Sequence, residues 1–321
     1  MKKIIRVLLG FVALVFVAVA GFAIFVSARG IPHYDVPKLD AKVAVTPERV
    51  AHGQAIVMAS CADCHTNPQT RKFSGQLIPD LPAEFGKIHS ANITNDKKHG
   101  LGNWTDGQII TVLRTGIGPD GRFRVVMPSF VHMSDEDINS VVAFLRSDNA
   151  LVQADASPSA AQEPSFLTKA LTNTVMKPTP LPSQVVEAPA PTDAQAFGRY
   201  LVVGRYKCYD CHSKDFKTNN PMEPEKSEGY LAGGNTLLNR QQQEVKSRNL
   251  TMDGETGIGD WSEGQFVQAV RFGMSPHGAL SYPMPKYSLM SEEEAKAIFA
   301  YLRTVPIIKN ATPEDGATAK L

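Results

Sequence analysis

One block of sequence is written twice in this chain, and that duplication limits its folds more than any other feature. The segment Asn92-Ile93-Thr94 returns as Asn249-Leu250-Thr251, 157 residues later (249 minus 92). The same offset carries Gly102-Asn103-Trp104-Thr105 onto Gly259-Asp260-Trp261-Ser262, and Met127-Pro128 onto Met284-Pro285. It also carries Arg114-Thr115-Gly116 onto Arg271-Phe272-Gly273, and Ala143-Phe144-Leu145-Arg146 onto Ala300-Tyr301-Leu302-Arg303. Two CxxCH segments, Cys61 to His65 and Cys208 to His212, correspond at a spacing of 147 (208 minus 61). The second copy therefore has ten additional residues after its motif, and the polar stretch Lys214 to Glu228 is where they are expected. A unit repeated at this distance folds as two similar domains, near 46–150 and 192–306.

Each copy reads as helical. Thr46 is placed to cap a helix opening at Pro47, and Ala194 to Val203 takes the same place in the second copy. Thr105 to Arg114 carries Ile109, Ile110 and Leu113 at helical spacing, and Ser262 to Arg271 carries Phe266, Val267 and Val270. Ser134 and Ser291 each precede a run of acids, which complements the dipole of a third helix. No alternating strand pattern is apparent, so the expected fold class is all-α. The stretch 151–191, rich in Pro and Ala, reads as a semi-rigid linker with a short helix inside it, Phe166 to Met176. Residues 29–45 read as a spacer and 307–321 as a polar, frayed tail.

An uncharged run from Val7 to Ser27 follows Lys2, Lys3 and Arg6. Twenty helical residues cover about 30 Å, the thickness of a bilayer's hydrocarbon core. The length favours an anchor within residues 1–28 over a cleaved signal, although Ala18-Val19-Ala20 and Val26-Ser27-Ala28 resemble cleavage sites. The basic flank keeps the N-terminus cytoplasmic, which places the bulk of the chain on the periplasmic side. Lys and Arg total 33 against 32 Asp and Glu, a balance that offers nothing to nucleic acid.

CxxCH attaches c-type haem. The two thiols bind the porphyrin and the adjacent imidazole binds the iron, so Cys61, Cys64 and His65 would serve one haem c. Cys208, Cys211 and His212 would serve a second. A lone CxxC is also compatible with a redox dithiol or half a zinc site, but two copies in one exported repeat disfavour both. The other axial position decides whether the iron passes electrons or binds substrate. Two Met pairs match across the repeat. Met133 and Met290 precede helix caps, where a hydrophobic staple accounts for them. Met127 and Met284 lie in irregular chain before Pro and are the favoured ligands. Trp104 and Trp261 suit the edge of a large ring. Arg114 and Arg271 either pair with haem carboxylates or end their helices in solvent. Asn92 and Asn249 order a turn beneath the ring or cap local backbone. His33, His52, His89 and His99 lack repeat-matched partners and read as surface residues.

CADCH, CYDCH, Asn-Ile-Thr, Gly-Asn-Trp-Thr, Met-Pro and the closing Ser-Asp-Glu-Asp…Phe-Leu-Arg helix resemble class I cytochrome c domains. They are most similar to the cytochrome subunits that accompany bacterial membrane-bound alcohol, aldehyde and sugar-acid dehydrogenases, across about residues 46 to 306. The resemblance implies compact helical domains, covalent haem c, electron transfer, a proximal His65 and His212, and a distal Met127 and Met284. Those subunits typically carry three haem domains and this chain carries two. The leading expectation is a membrane-anchored dihaem cytochrome that relays single electrons between redox partner proteins and is not itself an enzyme. The alternatives are a permanent subunit of a dehydrogenase or respiratory complex, and a dihaem peroxidase or thiosulfate-oxidising enzyme. Haem-based sensing would need an output domain, which the chain lacks.

Overall fold

The computed structural model describes residues 2–313. It is helix-rich and begins with α1 (Lys2–Arg29), which is almost wholly exposed apart from Val26 near its end. An 18-residue window of α1 has a mean hydropathy of 2.9, long and apolar enough to cross a bilayer.

Two hydrophobic cores follow. In the first, α2 (Pro47–Ser60) crosses α5 (Asp135–Leu145), and α4 (Asp106–Thr115) closes the side. Ile56, Ile109, Ile138, Val142 and Phe144 fill the space between them. In the second, α7 (Ala194–Tyr200) crosses α10 (Glu292–Leu302) beside α9 (Glu263–Phe272), around Leu201, Phe266, Ile298 and Leu302. Both crossings need glycine. A Cβ on Gly53 would stand 1.9 Å from the Ser140 carbonyl oxygen, and one on Gly198 would stand 1.9 Å from that of Ala297.

Local chemistry sets the helix ends in both copies. Thr46 Oγ1 accepts from Arg49 N at 3.3 Å, with Pro47 as the first helical residue. Thr105 with Gln108, and Ser262 with Gln265, form reciprocal capping boxes. Gly116 and Gly273 end the same helices at φ of 75° and 74°, a left-handed conformation that only glycine takes without steric cost.

The absence of strands expected from the sequence needs correction. Among the described residues there are three antiparallel ribbons: β1 (Gly86–Lys87) with β2 (Glu163–Pro164), β3 (Thr236–Leu238) with β4 (Glu244–Lys246), and β5 (Met274–Ser275) with β6 (Gly278–Ala279). Two or three residues are too few to show an alternating pattern. The ten-residue insertion does lie where polarity placed it. Lys214 N donates to Glu228 O at 3.0 Å, closing a loop over the expected stretch.

The expected spacer, linker and tail are also less free than composition implies. Tyr34 N donates to Gly121 O at 2.8 Å, and Val43 N donates to Asp106 Oδ2 at 2.9 Å. Residues 151–191 wrap the first core. Thr179 Oγ1 donates to Arg114 O at 2.7 Å, Asp135 N donates to Val186 O at 2.8 Å, and α6 (Phe166–Thr174) packs against the end of α1. Proline-rich composition reports the stiffness of a free chain and is silent about what the chain lies on. In the tail, Asn310 Nδ2 donates to Ala232 O at 2.9 Å, so this part is docked; residues 314–321 lie outside the described residues.

The cores meet through a buried polar cluster. Asp137 of α5 accepts from Arg205 Nε at 2.5 Å and Nη2 at 3.1 Å, and from the Tyr200 hydroxyl. Arg205 reaches back to Glu294 of α10. Asp137 and Arg205 are 3% and 4% exposed, so charges from both cores are buried together and must satisfy one another.

Candidate haem-binding sites

α3 (Ala62–His65) and α8 (Cys208–His212) each hold a Cys pair and the following His in one helical turn. None of the four cysteines is paired in a disulfide. Burial pushes Cys61, Cys208 and Cys211 up to about 12, and Cys64 up to about 11. A redox dithiol needs the opposite shift, since its attacking sulfur must be a thiolate near neutral pH. The zinc alternative fares no better: among the described residues no three His, Cys, Asp or Glu side chains converge as such a site requires.

The two imidazoles are held identically. His65 Nδ1 lies 2.8 Å from Ala91 O, and His212 Nδ1 lies 2.8 Å from Arg248 O. The acceptors are themselves 157 residues apart. A carbonyl only accepts, so Nδ1 carries the proton in each ring and Nε2 presents its lone pair. Burial lowers the pKa of both rings, and the carbonyl contacts oppose that shift.

The acceptor carbonyls are fixed by the residue that follows each of them. Asn92 Oδ1 accepts from Thr94 N at 2.9 Å, and Asn249 Oδ1 accepts from Thr251 N at 2.9 Å. The Asn92 amide donates to Asp155 O at 2.8 Å, and that of Asn249 donates to Ile308 O at 2.7 Å. By ordering the turn, these residues aim the carbonyl that orients the imidazole.

The Met pairs separate by burial. Met133 and Met290 are 1% and 3% exposed and sit in the two cores. Met127 and Met284 are partly buried at the edge of the same cores, as are Trp104 and Trp261. Matched turns present them: Met127 N donates to Arg124 O and Met284 N to Ser281 O, both at 3.1 Å.

The two arginines part company. Arg114 is buried, with Nη1 donating to Phe130 O at 2.9 Å, Val131 O at 3.1 Å and Met133 O, and Nη2 donating to Asp135. Arg114 does not end its helix in solvent, because its guanidinium is engaged by the loop that follows Met127. Arg271 instead stacks over Phe272 at 4.9 Å and has a buried Nε with no partner. His52 is likewise more than a surface residue, since Nε2 lies 2.8 Å from Asp137 Oδ1. Sequence reading also passed over Arg146, which donates to Leu101 O at 2.9 Å and to Trp104 O, bracing the Trp104 turn. Its match to Arg303 across the repeat was the available signal.

The CxxCH helices lie near one another across the interface. Ala59, beside the first motif, packs against the second core. Asp80 acts on both Cys64 and Cys211, and Asp63 acts on Tyr287 together with Cys208 and Cys211. Tyr206 and Tyr287 meet edge to face at 5.1 Å in the same region.

This donor set fits covalent haem c in both copies: protonated thiols one turn apart, an imidazole with Nε2 available, a thioether at the core's edge, and in the second copy an unpaired guanidinium Nε.

Comparisons with known proteins point to a cytochrome c domain in this chain. A family model described as cytochrome c oxidase, cbb3-type, subunit III matches residues 48–145. The cytochrome subunit of a fructose dehydrogenase from Gluconobacter japonicus is 31% identical over 271 residues, which is 82% of this chain and 52% of that protein. The cytochrome c subunit of a quinone alcohol dehydrogenase from Gluconobacter oxydans is 29% identical over 82% of this chain and 56% of that protein. A diheme cytochrome c-type protein of Cereibacter sphaeroides is 26% identical over 81% of this chain and 86% of its own length. The chain spans about half the length of the two dehydrogenase subunits. By site and likeness together, it is a relative of the cytochrome c subunits of bacterial dehydrogenases.

Proposed function

We propose that the chain is a dihaem c-type cytochrome of two tandem class I domains, anchored by α1, that relays single electrons on the periplasmic side of the membrane. The observation that carries this reading is the matched pair of imidazole contacts, His65 to Ala91 O and His212 to Arg248 O. Cys61, Cys64, Cys208 and Cys211 would hold the two haems, His65 and His212 would ligate from one side, and Met127 and Met284 from the other. Bound haem c supplies a one-electron couple. The chain's own part is to hold it still. The backbone carbonyls fix ring orientation and raise imidazole basicity, and Trp104 and Trp261 keep water from the core's edge. The Asp137–Arg205 contact sets the distance between the sites. The role proposed for the chain is transfer rather than catalysis.

A second reading, a fixed subunit of a dehydrogenase complex, is favoured by the names of two of the relatives above. The first reading is tested by denaturing mass spectrometry of Cys61→Ala/Cys64→Ala and Cys208→Ala/Cys211→Ala. Each variant is expected to keep one covalent haem; a variant retaining two, or a parent retaining none, contradicts the reading. Purification in mild detergent separates the two readings, since a stoichiometric dehydrogenase partner is expected only for the second.

A further inference from the structure

Helix α6 is inside out. At about 100° per residue, Phe166, Leu167, Ala170, Leu171 and Val175 occupy one half of its surface, and Thr168 and Thr172 lie in the other. The threonines are buried against the protein, while Phe166, Leu167 and Val175 are 49%, 41% and 72% exposed. Thr168 Oγ1 donates to Phe85 O at 2.7 Å, and Thr172 Oγ1 donates to Thr168 O at 3.0 Å, so the inward hydroxyls are satisfied. A helix packed in water turns the other way, apolar side inward. The outward face of α6 is built for a medium that is not water.

Its position names that medium. Asn173 Oδ1 accepts from Arg29 Nη1 at 3.2 Å, and Asn173 Nδ2 donates to Gly30 O at 2.9 Å, which ties α6 to the end of α1. Arg29 lies over Phe25 at 5.6 Å, and Lys177 Nζ caps Thr172 O at 3.3 Å and Asn173 O at 3.0 Å. Cations with apolar stems beside an apolar face are the arrangement of a membrane interface, where the stem lies in hydrocarbon and the charge in the headgroups.

We propose that α6 is an interfacial helix, with Phe166, Leu167 and Val175 set into the boundary between lipid headgroups and acyl chains beside the exit of α1. The inference rests on α1 spanning the bilayer. The occupant of this face is lipid, because the tie to Arg29 and Gly30 places it at the end of α1, whose own exposed surface is apolar. The first haem unit would then be held close to the membrane by two contacts in place of one flexible tether.

Spin labels test this in the full haem-loaded chain, reconstituted alone in nanodiscs of phosphatidylcholine and phosphatidylglycerol. Single labelled positions are Leu14→Cys in α1, Leu167→Cys in α6 and Val175→Cys at its C-cap, and Val185→Cys, 71% exposed on the connector, as a water-facing control. The oxygen-to-nickel-chelate accessibility ratio is expected to be high at Leu14, Leu167 and Val175 and low at Val185. A high ratio at Leu14 with low ratios at both α6 positions overturns the interfacial helix and leaves the span intact. A low ratio at Leu14 overturns the span and the inference together. Protection of the α6 labels from both reagents means that protein covers the face, which also overturns it.

Discussion

At the scale of single residues, the same hydrogen bond occurs twice in places that sequence spacing alone does not connect. His65 and His212 are 147 residues apart, whereas their acceptors, Ala91 and Arg248, are 157 apart. The insertion between His212 and Leu231 was therefore accommodated without disturbing the imidazole. Residue types were legible where chemistry forces them, as in CxxCH and the Met-Pro turns. They were illegible where a side chain had two uses of equal cost, and Arg114 is the example. From sequence its guanidinium suits a haem carboxylate, yet the loop over 130–133 turns three carbonyls inward and captures it. Arg114→Gln is expected to lower stability by about 1–3 kcal/mol through those unpaired carbonyls, read as a fall in denaturant midpoint. Arg271→Gln should leave stability nearly unchanged and lower the potential of one haem, because a positive neighbour disfavours the oxidised state. Equal effects from the two variants would sink the distinction. Met127→Ala and Met284→Ala should each remove half of the Met-to-iron absorption of the oxidised protein and lower one potential; an unchanged band refutes the ligand assignment.

At the scale of elements, every long helix was legible and every short strand was not. Capping residues and helical periodicity are local signals: Thr46, Ser134 and Ser291 cap where they were expected to, and Thr105 and Ser262, read as the first residues of their helices, cap them. Pairing between Gly86 and Pro164 is a tertiary contact with no local signature. The helix crossings give a sharper test. Gly53→Ala and Gly198→Ala each force a methyl against a backbone carbonyl and should destabilise one core by about 1–3 kcal/mol. Gly264→Ala, with nothing within 4 Å of the added carbon, should be neutral or stabilising by about 0.5–1 kcal/mol. Thermal unfolding followed at each haem's absorption separates the three, and a Gly53→Ala as stable as the parent would contradict the close crossing.

At the scale of the whole molecule, the duplication predicted two units but not how they are joined. The joint is made by Arg205, set between the repeat-matched acids Asp137 and Glu294 (294 minus 137 is 157); no arginine stands at the corresponding place ahead of Cys61 in the first copy, so the repeat pattern did not reveal it. Burial raises the pKa of Asp137, but hydrogen bonds from His52, Arg205 and Tyr200 and the Arg205 charge outweigh it and hold the carboxyl at about 2, below its ordinary 3.8. A depressed carboxyl stabilises the folded state above pH 3.8 and loses that contribution as pH falls toward 2. The contact is expected to persist from neutral pH down to about 4 and to weaken below it. Asp137→Asn should weaken it at neutral pH and abolish the acid dependence, measured as the rate of electron exchange between the haems. An acid dependence that survives the substitution would place the titrating group elsewhere.

The central claim, that each repeated unit carries one covalently held haem, is tested most directly by the mass of the denatured protein isolated from its native membrane. The account predicts a polypeptide heavier by two haem groups, which survive acid extraction. A polypeptide at its bare mass, or heavier by one group only, would contradict it.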